Sequence, residues 1–133
     1  MERHSFAMEI KKGKKNEYRQ ILGEIWPDLT AFLDQEKVHN FSIWNCDSLI
    51  FGYYETDENN EFSEEKKASI QALTSRIDHT FTWISTPGEN MRLMYHNFGV
   101  VRENKELIRH RMFMTRLKHD CEEEYKARHD GLV

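Results

Sequence analysis

The sequence predicts an α+β fold with the element order β-α-β-β-α-β, the split-βαβ or ferredoxin-like arrangement. Three observations point to it. An alternating apolar run, Phe6, Met8 and Ile10, is followed by a helical stripe at Tyr18, Ile21, Leu22 and Ile25. Two strand-like runs, Val38–Trp44 and Leu49–Glu55, then stand close enough to form an antiparallel hairpin. A second helical stripe and a further apolar run complete the order.

The elements follow one another from the N-terminus. Period two over Ser5–Ile10 describes a half-buried strand. Lys11 to Lys15, with Gly13, forms a polar turn, and the stripe after it sits at i, i+3, i+4 and i+7. Pro27 lacks an amide proton and is expected to interrupt that helix or to begin a new turn before Leu29, Phe32 and Leu33 resume it. Asn45–Asp47 supplies turn chemistry between the hairpin strands. Ser63 is placed to cap a second helix, with Glu64 and Glu65 in its first turn. Its stripe runs Ile70, Leu73, Ile77, Phe81 and Ile84, and Pro87–Gly88 is expected to end it. Met91–Val101 reads as the fourth strand. Such a sheet carries helices on one face only, so its other face needs cover, and a homodimer with sheets packed face to face is expected.

The C-terminal end repeats the beginning. At one constant offset Phe113, Leu117, Glu124 and Tyr125 stand where Phe6, Ile10, Glu17 and Tyr18 stand earlier. The reading is a domain over residues 1–101, then residues 102–133 as a connector plus the opening strand and helix of a second repeat. One helical turn after Tyr18 comes Leu22; one turn after Tyr125 comes His129.

Composition narrows the partners. The chain has 133 residues and a formal net charge of −4, which argues against nucleic acid or an anionic membrane as the default partner. It has no apolar run of the roughly 20 residues a membrane span needs. The N-terminus lacks a secretory apolar core, and Cys46 and Cys121 form no CxxC pair, so a reducing cytoplasm is expected. His4, His79, His96, His110 and His119 show no metal-ligand spacing.

Four segments in order, FAMEI, EYRQILGEIWPDL, VHNFSIW and SLIFGYYET, resemble the L-rhamnose mutarotase family and cover most of residues 5–56. The IWPDL after an EY helix and the HNF strand are the more specific signals. The resemblance implies a small sugar-anomer epimerase with a dimeric ferredoxin-like α/β-barrel, acting on a deoxyhexose such as L-rhamnose without cofactor or metal. The family's substrate-contacting tyrosine falls on Tyr18, its strand aromatic on Phe41, and its catalytic histidine on Leu22. Its paired tryptophans have no adjacent equivalent, although Phe81 and Trp83 lie in that region. In the second copy Tyr125 and His129 match both motif positions. Catalysis is therefore expected from His129 and Tyr18, with Tyr18, Phe41, Trp83 and Tyr125 binding the sugar.

Ring opening needs one group to remove the anomeric hydroxyl proton and another to protonate the ring oxygen, and imidazole exchanges protons near neutral pH. Because Leu22 cannot do so, two alternatives stand beside the enzyme reading. One is a sugar-binding or dimerisation domain without catalysis. The other is a different enzyme on this fold, such as a small monooxygenase.

Overall fold

The computed structural model describes residues 2–57, 63–94 and 111–131. It divides into two compact units, Met1–Met91 and Arg92–Val133. In the first unit the strands are β1 (Glu2–Ile10), β2 (His39–Cys46), β3 (Leu49–Thr56) and β4 (Phe81–Trp83), and the helices are α1 (Lys15–Gln35) and α2 (Glu64–Thr74). The sheet order is β2-β3-β1-β4 and all its pairs are antiparallel, so the fold is ferredoxin-like α+β.

The two faces of the sheet follow from the period of two. Met8 and Ile10 of β1, Ile50 of β3 and Phe81 of β4 join Tyr18 and Ile25 of α1 and Ile77 in a buried core. Phe6, Ile21, Leu22 and Ile43 pack against it. Burying a side chain the size of Ile50, which is wholly enclosed, contributes about 1.5–3 kcal/mol. Gly13 closes the turn after β1 with φ +79, a conformation that suits a residue without Cβ. Asp47, φ +54, turns β2 back into β3.

Pro27 does not interrupt α1; the helix runs through it. The ring removes the bond to the carbonyl of Gly23, yet both residues are exposed. The stripe on the buried side, with Tyr18 and Ile25, continues to Leu29, Phe32 and Leu33, and this burial outweighs the local cost.

The second helix starts as expected, with Ser63 Oγ accepting from the Lys66 amide, but it ends at Thr74. Ile77 and Phe81 fit the helical stripe because both are buried, not because they share a helix. A turn and a short 3-10 segment, Asp78–Thr80, intervene, and Thr80 Oγ1 donates to the Ile77 carbonyl at 2.6 Å. Phe81, Thr82 and Trp83 are strand-favouring residues, and they occupy the edge beside β1. The fourth strand is thus Phe81–Trp83 rather than Met91–Val101. Residues 91–94 carry no strand, and the rest of that run lies outside the described residues. Pro87–Gly88 forms a turn after β4 instead of a helix end.

In the second unit the expected helix is present as α3 (Glu122–Asp130). Its acidic first turn and basic last turn complement the helix dipole, and Glu124–Arg128 and Lys126–Asp130 pair at i, i+4. The expected strand before it is absent: residues 111–118 are in no ladder, and Phe113 is 87% exposed. Alternating side chains alone do not hold a strand without a hydrogen-bonding neighbour.

Candidate functional site: an aromatic cavity between helix and sheet

A cavity of about 290 Å³ lies between the helices and the sheet of the first unit. That is near the lower end of the ~300–1,000 Å³ typical of small-ligand pockets, and suits a compact ligand. Among the residues lining it are Tyr18 and Leu22 of α1, Phe41 of β2, Tyr54 of β3, Trp83 of β4 and His4 of β1.

The rings form a connected wall. Phe6 stands 6.5 Å from Tyr54 and 6.1 Å from Trp83, centroid to centroid. Phe41 stands 6.4 Å from Tyr54 and 6.3 Å from Trp26. Trp83 is edge-on to Phe81. Local backbone produces this arrangement. The ladder between β2 and β3 shifts between His39 and Ser42, where Asn40 takes φ +52 and its side chain donates to Glu55. The bulge absorbs one residue and leaves Phe41 against Tyr54. Opposite Phe6 stands Gly52, and only the absence of a Cβ there lets the Phe6 ring lie flat over β3.

The polar groups are few and distinctive. The Tyr18 hydroxyl is buried and has no hydrogen-bond partner among the described residues. Burial also pushes its pKa up to about 12, so it stays a neutral phenol. Burial raises the Tyr54 phenol as well. His4 stacks on Tyr54, with ring centroids 4.6 Å apart and planes inclined by 14°, and its Nε2 lies 2.7 Å from Thr56 Oγ1. Among the described residues no group of three or more His, Cys, Asp or Glu side chains is placed to hold a metal.

Of the site residues expected from sequence, Tyr18, Phe41 and Trp83 come together on this cavity. Leu22 lies on the same wall. Tyr125 and His129 belong to the second unit, where their rings are 4.1 Å apart and His129 Nδ1 sits 3.0 Å from the Tyr125 carbonyl, to which it donates. Sequence reasoning passed over His4 and Tyr54. The signal for His4 was present: it continues the even-numbered face of Phe6, Met8 and Ile10.

Residues 3–93 match the family model described as L-rhamnose mutarotase. The chain belongs to the L-rhamnose mutarotase family. Over 72 residues it is 33% identical to the L-rhamnose mutarotase of Oceanobacillus iheyensis, an alignment covering 53% of this chain and 69% of that one. It is 42% identical over 55 residues to the Agrobacterium fabrum L-rhamnose mutarotase, covering 39% of this chain and 50% of the relative. A crystal structure of an L-rhamnose mutarotase from Formosa agariphila is similar at 21% identity and a TM-score of 0.45, over 71% of this chain and all of that one. A sugar ring presents apolar C–H faces to aromatic rings and hydroxyls to a few polar groups. Among the described residues no helix is long and apolar enough to cross a membrane.

Proposed function

We propose that this chain interconverts the anomers of a deoxyhexose such as L-rhamnose, in the cavity between α1 and the sheet. One observation carries the reading: the buried hydroxyl of Tyr18, without a hydrogen-bond partner among the described residues, on the wall of an aromatic cavity. A buried hydroxyl without a partner costs roughly 1–3 kcal/mol, and a bound ligand oxygen would remove that cost. Phe41 and Trp83 would cover the sugar's faces. Tyr18, held neutral, would donate to the ring oxygen as the C1–O5 bond breaks. The other requirement is a group that accepts the anomeric hydroxyl proton. Leu22 does not supply one.

A cytoplasmic homodimer is part of the same proposal. The outer face of the sheet carries Trp44, Phe51 and Tyr53, large rings that a second copy would cover. Light scattering behind size exclusion reads this directly: twice the chain mass is expected, and a monomer rejects it.

The activity is tested by saturation-transfer NMR of L-rhamnose anomers with and without protein. Faster exchange with protein is expected. Binding without exchange would favour the non-catalytic domain, and oxygen consumption would favour a monooxygenase. His129→Ala is measured alongside, and unchanged exchange would remove His129 from the mechanism.

A further inference from the structure

We infer that His4 is the proton-accepting group of the cavity, which rests on the mutarotase reading above. Among the described residues the cavity lining holds one imidazole, that of His4, and one carboxylate, that of Glu89.

Its position follows from the sheet. On β1 the even positions face the helices, and His4 stands opposite Tyr54 just as Phe6 stands opposite Gly52 and Met8 opposite Ile50. The ring is fixed on two sides, stacked on Tyr54 and bonded through Nε2 to Thr56. Thr56 is itself buried. The side chain of His4 retains 21% of its exposure, so the imidazole is held without being sealed. Among the described residues Nδ1 makes no hydrogen bond, while Nε2 is occupied by Thr56.

This pairing suits proton exchange. A threonine hydroxyl accepts as well as donates, so Nε2–H can donate to Thr56 Oγ1 before and after the transfer, which leaves the lone pair on Nδ1. Nδ1 is left to take a proton from the ligand and to return it. The step balances. His4 takes the proton of the anomeric hydroxyl, and the O–H electron pair becomes the carbonyl bond at C1. The C1–O5 bond breaks, and O5 receives the proton of the Tyr18 phenol. After rotation about C1–C2 each transfer reverses on the opposite face, and both side chains return to their starting states.

The test is anomer exchange of L-rhamnose on wild type and His4→Gln. A positioned acid–base group contributes roughly 10²–10⁴-fold, so His4→Gln should lose about 10²-fold or more. An active wild type with an equally active His4→Gln would overturn the assignment and leave the mutarotase reading standing. An inactive wild type would overturn both. A second measurement avoids any folding defect in the variant. In wild type labelled at histidine, the His4 ring resonances should shift on adding L-rhamnose, and resonances that stay put would reject the contact.

Discussion

The ring of Phe6 fills the space that a Cβ on Gly52 would need. This contact across the β1–β3 ladder sets one wall of the cavity, because it holds Phe6 within ring contact of both Tyr54 and Trp83.

Gly52→Ala should therefore destabilise the protein by about 1–3 kcal/mol, the usual cost of overpacking. Chemical denaturation measures it. Trimming the ring in Phe6→Leu/Gly52→Ala should recover part of the loss, since the clash is with the ring itself. Additive losses in the double variant would show that Gly52 is needed for another reason.

Tyr18→Phe separates stability from function. Removing this hydroxyl, which has no partner among the described residues, should leave the free protein as stable or about 1 kcal/mol more stable, because a buried unsatisfied group is lost. The thermal shift produced by L-rhamnose should shrink in the same variant. A clear loss of stability without sugar would mean that the hydroxyl has an intramolecular role.

Alkaline pH should weaken the fold in a defined window. Burial raises Tyr18 to about 12, and burial followed by the hydrogen bond to Glu55 raises Tyr53 to about 12. Both acids are harder to ionise folded than unfolded. Their contribution is complete below the ordinary tyrosine value near ~10 and is lost as pH rises from there through about 12. Denaturation midpoints should fall across that range, and Tyr18→Phe should fall less steeply. A flat profile would contradict the burial of these phenols.

Leu22→His should increase exchange. Leu22 lines the same cavity as Tyr18, one helical turn further along α1, so an imidazole there would face the same ligand. A several-fold gain in anomer exchange is expected. Unchanged exchange in a folded, sugar-binding Leu22→His would mean that the wall at α1 does not face the reacting carbon.

Much of this was legible from residue spacing. The even-numbered face of β1, the stripe of α1 and the alternation of β3 each carry a period that matches their burial. The fourth strand was misplaced because Ile77 and Phe81 keep helical spacing while lying in a turn and a strand. Spacing alone does not separate one buried path from another. The strand expected at residues 112–117 shows the converse, since its alternation finds no ladder partner among the described residues. At the site, Tyr18, Phe41 and Trp83 were placed by family resemblance. His4 was not, because its role depends on Tyr54 and Thr56 across the ladder, and register is not printed in any local stretch of sequence.

The most direct test of the central claim is the exchange rate of L-rhamnose anomers by saturation transfer, on wild type and Tyr18→Phe at equal concentration. The account predicts exchange well above the buffer rate in wild type and a marked fall in Tyr18→Phe. Exchange equal to buffer in wild type, or undiminished in Tyr18→Phe, would contradict it.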